Sequence, residues 1–112
     1  MFPRFIETSI VSAISKYKAT TLIGPRQSGK TTLAKAIGDN FEYYSLENPD
    51  IQRRSFEDPN GFLKSIKTNA IIDEVQRNPE LLSYLQEILD NKSDARKFIL
   101  TGSNSLLLSD KV

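Results

Sequence analysis

The chain contains neither cysteine nor histidine. Without cysteine there is no disulfide scaffold and no thiolate metal site. Without histidine there is no Ser-His-Asp triad, no imidazole general base and no His-ligated zinc. Lys and Arg number 15 against 14 Asp and Glu, a formal charge of +1, so the basic excess expected of a nucleic-acid module is missing. No apolar run approaches the roughly 18–20 residues of a membrane span. The first apolar residues are interrupted by Glu7, Thr8, Ser9 and Ser12, and Lys16 and Lys18 follow, which does not fit a secretory signal. These absences predict a cytoplasmic protein with no membrane contact. Internal repeats, low-complexity segments and interdomain linkers are also absent. Chemistry is left to carboxylates, hydroxyls, Lys and Arg, backbone amides or a bound ion.

What is present is 112 residues, 38% hydrophobic and 26% charged: one domain with a core, residues 1–112 taken together. Residues 4–18 place Phe5, Ile6, Ile10, Ala13, Ile14 and Tyr17 near helical spacing and predict an amphipathic helix. Ala19–Ile23 is short, apolar and β-branched before a Gly-Pro, the pattern of a buried strand. Residues 30–38 read as a helix, and Phe41–Ser45 as a second strand. Asn48 precedes Pro49 and Asp58 precedes Pro59, two caps each followed by proline at the first helical position. The second of these helices is expected to reach about Lys67, with Phe62, Leu63 and Ile66 on one face. Ala70–Asp73 is a third strand. Asn78-Pro79 is expected to open a helix carrying Leu81, Leu82, Leu85, Ile88 and Leu89. Residues 97–101 form a fourth strand, and a helix is expected to begin within 104–112. Strands alternate with helices throughout, which predicts an α/β fold with a parallel sheet covered on both faces.

Gly24-Pro25-Arg26-Gln27-Ser28-Gly29-Lys30-Thr31 fits the phosphate-loop pattern G-x-x-x-x-G-K-[ST], and Thr32 follows it. The pattern has a mechanism. Successive backbone N–H groups form a nest around a phosphate. Gly24 and Gly29 permit angles and close approaches that a Cβ blocks. The helix behind the loop points its N-terminal amides and positive dipole end at the anion. Lys30 supplies positive charge for the β- and γ-phosphates, and Thr31 offers a hydroxyl to Mg²⁺. The expected ligands are therefore ATP and Mg²⁺. The loop follows a predicted strand and opens a predicted helix, as the motif requires.

Asn69-Ala70-Ile71-Ile72-Asp73-Glu74 is an apolar strand ending in acid, the Walker B arrangement. Open parallel sheets bind ligands at the carboxyl ends of their strands, so Asp73 is expected to face the phosphate loop and hold Mg²⁺, directly or through water. Glu74 is a candidate for orienting or deprotonating the attacking water. Nucleotide kinases and GTPases usually lack that second acid, and their acidic strand lies beside the phosphate-loop strand. The Asp-Glu pair instead favours the division of phosphate-loop proteins with an extra strand between the two. The fourth strand ends Leu100-Thr101-Gly102-Ser103-Asn104. If it is that inserted strand, Thr101, Ser103 or Asn104 acts as a phosphate sensor, with Asn104 the catalytic candidate. The alternative is that Ser103 or Asn104 simply caps the next helix.

These segments, with Leu46-Glu47-Asn48-Pro49-Asp50 and Asp58-Pro59-Asn60-Gly61-Phe62-Leu63, together resemble a prokaryotic AAA-type ATPase family from about Phe5 to Leu108. The resemblance implies a phosphate-loop ATPase core with sheet order 5-1-4-3-2. It also implies that the chain is an N-terminal part, lacking a fifth strand, a winged-helix-like segment and a nuclease-like C-terminal domain. Partners would then be nucleotide, the absent domains or another subunit, with nucleic acid only by family analogy. An uncovered edge of the phosphate-loop strand would favour self-association.

Other residues read more plainly. Arg26 is expected to point outward; Arg53, Arg54 and Arg77 read as surface charges. Gln76 is placed to restrain Glu74. Tyr43 and Tyr44 read as strand residues, one buried and one half exposed. Three functions remain: ATP hydrolysis through Lys30, Thr31, Asp73 and Glu74; nucleotide binding without turnover; and transfer of phosphate to a small acceptor, for which no acceptor pocket or Arg-rich lid is evident.

Overall fold

A computed structural model describes residues 18–23 and 29–102 of the chain. Residues 4–17 of the first expected helix, and the helix expected within 104–112, lie outside the described residues; Lys18 is described and is not helical. The described elements run β1 (Ala19–Ile23), α1 (Lys30–Ile37), β2 (Glu42–Ser45), α2 (Pro49–Glu57), α3 (Pro59–Ser65), β3 (Ala70–Asp73), a 3₁₀ turn (Val75–Arg77), α4 (Leu81–Asp90) and β4 (Phe98–Gly102). The four strands form one parallel sheet in the order β1-β4-β3-β2. The last strand is thus inserted between the first and third, the arrangement expected from the Asp-Glu pair.

The alternation of side chains along a strand divides the interior in two. Ala70, Ile72, Phe98 and Leu100 face one way and join Leu46, Phe62, Leu63, Ile66, Val75, Leu81 and Leu85 in the larger cluster. Ile71 and Ile99 face the other way, against Ala34 of α1, with Leu22, Ile37 and Phe41 around them. Helices therefore cover both faces. Each fully buried Leu, Ile or Phe in these clusters contributes roughly 1.5–3 kcal/mol. Truncating Leu85 to alanine would cost about 2–5 kcal/mol.

Local chemistry sets the helix ends. Asn48 Oδ1 accepts the N–H groups of Asp50 (2.9 Å) and Ile51 (3.2 Å), and Pro49 opens α2. Asp58 Oδ1 accepts the Gly61 N–H at 3.0 Å, and Pro59 opens α3. This helix stops at Ser65, short of Lys67. The Arg96 guanidinium takes the carbonyls of Leu63 (2.8 Å) and Ile66 (2.7 Å), and Ile66 is already extended. Asp94 holds Arg96 from the other side at 2.7 Å. The hydrogen bond from Arg96, outweighing desolvation, holds the Asp94 carboxyl down at about 2, and the same partner raises Arg96 further.

Other boundaries also differ from the sequence expectation. After Val75–Arg77 the chain turns through i→i+3 bonds, Leu81 N–H to the Asn78 carbonyl (3.1 Å) and Leu82 N–H to that of Pro79 (3.1 Å). The α-helix therefore begins at Leu81 and not at Pro79. β4 starts at Phe98 because the Lys97 N–H is taken by Asn69 Oδ1 at 2.7 Å. β2 starts at Glu42 because Phe41 N–H turns back to the Gly38 carbonyl (3.0 Å). Gly38 ends α1 where Ile99 packs against it: a Cβ there would meet Ile99 Cδ1 at 2.9 Å. Among the described residues no helix is long and apolar enough to cross a membrane.

Candidate functional site at the carboxyl ends of the strands

Gly29 precedes α1 with φ 89° and ψ 6°, a left-handed conformation that glycine adopts without a Cβ penalty. It offers no capping side chain, and the first turn of α1 carries no acidic residue. The amide end of the helix and its partial positive charge are thus not answered by a local carboxylate. Lys30 is the first residue of α1 and Thr31 the second; Thr32, the third, is exposed. Gly24, Pro25, Arg26, Gln27 and Ser28 lie outside the described residues, as do Ser103 and Asn104.

Asp73 ends β3 on the α1 face of the sheet and is only 4% exposed. Three hydroxyls converge on it. Thr31 Oγ1 donates to Asp73 Oδ1 at 2.8 Å. Thr101 Oγ1, from the adjacent strand β4, donates to the same oxygen. The Tyr43 hydroxyl, from β2 on the other side, donates to Oδ2 at 2.8 Å. Burying a carboxylate is costly unless it is hydrogen-bonded, and these three hydroxyls supply those bonds. Burial and the bond to Asp73 in turn push the Tyr43 phenol up to about 12.

Glu74 follows with φ 61° and ψ 53°, the one positive φ on a non-glycine residue among those described. Such a conformation costs on the order of 1–3 kcal/mol and is held by its surroundings. The holds are visible here. The Glu74 N–H donates to Thr101 Oγ1 at 2.9 Å, and the Glu74 carbonyl accepts the Arg77 N–H at 3.1 Å. Gln76 Nε2 donates to Glu74 Oε1 at 2.6 Å, the contact expected of Gln76. Glu74 is 5% exposed. Thr101, fully buried, therefore joins both acids: its hydroxyl donates a hydrogen bond to Asp73 and accepts one from the Glu74 N–H.

Thr31, Asp73, Glu74 and Thr101 are thus brought together at one end of the sheet. The donors are hard oxygens, a hydroxyl and a carboxylate, which suits Mg²⁺. Because the Thr31 proton lies on Asp73, the hydroxyl lone pairs are left for a cation. Two protein oxygens do not fill an octahedral shell, so a Mg²⁺ ion here would need phosphate and water as well.

Tyr43 and Tyr44 are strand residues as expected, but neither is buried: Tyr43 is 39% exposed and Tyr44 half-buried, and the Tyr43 hydroxyl is a site contact that its sequence neighbours do not announce. The register pairs Tyr43 with Ile71 and Ser45 with Asp73, so Tyr43 reaches Asp73 on the diagonal. The only sequence signal was the parity of positions along β2 and β3. Arg77 pairs with Glu47 at 3.3 Å and Arg53 with Asp50 at 2.9 Å, both as exposed surface pairs. Arg54 lies over the Phe62 ring, 5.4 Å from its centroid.

A family model described as AAA domain matches residues 16–112. Two uncharacterised proteins, Mb2031c of Mycobacterium bovis and Rv2008c of Mycobacterium tuberculosis, are each 33% identical over 95 residues. These matches take in 83% of this chain and 21% of each relative. The chain thus spans about a fifth of the length of the curated relatives it matches. Among solved structures, the Walker-type ATPase PABY2304 of Pyrococcus abyssi is similar with a TM-score of 0.61 and 20% identity. That alignment covers 98% of this chain and 47% of the other, and at this identity it speaks for the fold alone.

Proposed function

We propose that this chain, which belongs to the AAA domain family, binds ATP with Mg²⁺ and forms the hydrolytic core of a longer cytoplasmic ATPase. The observation that carries the reading is the Thr31–Asp73 hydrogen bond of 2.8 Å across the carboxyl ends of the strands. It joins the last residue of the phosphate-loop pattern to the acid at the end of the apolar third strand.

In this reading the backbone amides of residues 24–31 and the Lys30 ammonium receive the phosphates. Thr31 and Asp73 hold Mg²⁺, which when bound offsets charge on the phosphate oxygens. Thr31 keeps its proton on Asp73 and presents lone pairs outward. Glu74 accepts a proton from the attacking water, its carboxylate steadied by Gln76. Thr101 fixes the spacing of the two acids. Asn104 or Ser103, both of which follow Thr101 in the sequence, senses the γ-phosphate.

A second reading is that this chain alone binds nucleotide without turning it over. It is favoured by the chain's share of its relatives, 21% of their length, since hydrolysis then depends on the rest of the protein or another subunit. The outer edge of β1 would be covered by a further strand or by a second copy. Phosphate release and Mg·ATP binding, measured on the parent and on Glu74→Gln, separate the two readings. Under the first, the variant binds Mg·ATP within about threefold of the parent and loses roughly 10²–10⁴-fold in turnover. Under the second, both proteins bind and neither releases phosphate. Turnover that survives Glu74→Gln would overturn the role given to Glu74.

A further inference from the structure

We infer that Tyr43 is a positioning residue of this site: its hydroxyl fixes the free oxygen of Asp73 and thereby sets the affinity for the nucleotide-bound cation. The inference rests on the reading of Asp73 as a cation-holding acid and extends it by one residue.

The geometry carries it. Thr31 and Thr101 both donate to Oδ1 of Asp73. With those two donors alone, the carboxylate is pinned at one oxygen and can still tilt about it through coupled rotations at the Cα–Cβ and Cβ–Cγ bonds. Tyr43 is the donor on Oδ2, at 2.8 Å, and closes that freedom. Diagonal neighbours on adjacent strands stand roughly 7–8 Å apart at the backbone, within reach of an aromatic side chain. The β2–β3 register puts Tyr43 at such a diagonal from Asp73.

The ring is itself placed. The Lys35 ammonium of α1 sits 4.1 Å from the Tyr43 ring centroid, a cation–π contact between the helix that begins at Lys30 and the strand beside Asp73. Tyr43 is 39% exposed, yet its hydroxyl is turned onto a carboxylate that is 4% exposed. Hydrogen-bond partners of this kind orient ligating carboxylates, and their loss typically costs 10–100-fold in metal affinity.

The neighbouring residue supplies a control. Tyr44 points to the opposite face, its hydroxyl donating to Glu42 and its ring edge-on to Phe62 at 5.5 Å between centroids. Removing either hydroxyl deletes a tyrosine–carboxylate hydrogen bond, but only one of them touches Asp73.

The test uses the full chain and a non-hydrolysable ATP analogue, with its affinity measured in EDTA and in saturating Mn²⁺. The ratio of the two affinities is the gain due to the metal. Tyr43→Phe is expected to cut that gain about 10–100-fold while leaving the affinity in EDTA within about twofold; Tyr44→Phe changes neither. A gain that Tyr43→Phe leaves within twofold overturns the inference. So does an equal loss with and without Mn²⁺, which would mark a merely structural residue, and so does an increased gain, which would mark Tyr43 as a competitor of the metal. A parent protein that shows no Mn²⁺-dependent gain overturns the site reading itself, and is recognised by appearing before any substitution is made.

Discussion

Exchanging one oxygen for a methyl group at Thr101 probes the joint between the two acids. Thr101→Val keeps the volume and the β-branch of a fully buried strand residue, so it opens no cavity and suits the strand backbone. It removes the hydroxyl that donates to Asp73 and accepts the Glu74 N–H at 2.9 Å. A hydrogen bond to a charged group is worth about 1.5–3 kcal/mol, and an ordinary one about 0.5–1.5 kcal/mol. The two share one oxygen and overlap, so the expected loss is about 2–4 kcal/mol, a large part of the roughly 5–15 kcal/mol of a typical domain. With a urea m-value of about 2 kcal/mol/M, this lowers the unfolding midpoint by about 1–2 M with the slope unchanged. Thr101→Ser keeps the oxygen and loses one methyl, so its cost is about 1 kcal/mol. A valine variant within 0.5 kcal/mol of the parent (~0.5 is the usual scatter of neutral surface changes) would refute the reasoning. A serine variant as unstable as the valine one would also refute it, by assigning the loss to packing.

Two further outcomes follow from other contacts. Asp94 is held at about 2 in the folded state against an ordinary 3.8. Its depressed pKa contributes stability that is present above about pH 4 and lost as the pH falls toward about 2, so Asp94→Asn should flatten the acid limb of a stability–pH curve in that window; an unchanged acid limb counts against the Arg96 clamp. At Gly61 a Cβ would stand 2.1 Å from Asp58 Oδ2, so Gly61→Ala should displace the cap of α3 and cost about 0.5–2 kcal/mol. Asp58→Ala should cost a similar amount and the double variant little more, whereas additive losses in calorimetric melting would show the two residues acting separately.

The fold was legible where chemistry is local. Asn48-Pro49 and Asp58-Pro59 marked helix starts because a side-chain cap and a proline act within one turn. β1 and β3 were legible as apolar, β-branched runs bounded by loop residues, and both strands have the expected limits. The insertion of β4 between β1 and β3 was legible only through the Asp73-Glu74 pair and the family resemblance, since the pairing is non-local. What escaped was short or depended on register. The 3₁₀ turn at Val75–Arg77 is too brief to leave a periodic pattern. The stop of α3 is made by Arg96, about thirty residues away in the chain (~10–14 residues is an ordinary helix), so no window around Ser65 contains it. Tyr43 escaped for the same reason: its partner is fixed by how β2 aligns with β3, and nothing in Glu42–Ser45 states that alignment. Thr101 was named at the site for its position at a strand tip; its double bond to Asp73 and Glu74 required the packed neighbours.

The proposed phosphate site, residues 24–31 with Asp73, is tested by titrating Mg·ATP into the chain by calorimetry with Lys30→Ala beside it. Saturable one-site binding is expected for the parent and is lost in Lys30→Ala, with both proteins equally folded by circular dichroism. Binding that survives in Lys30→Ala would refute the site, and so would a folded parent that takes up no nucleotide.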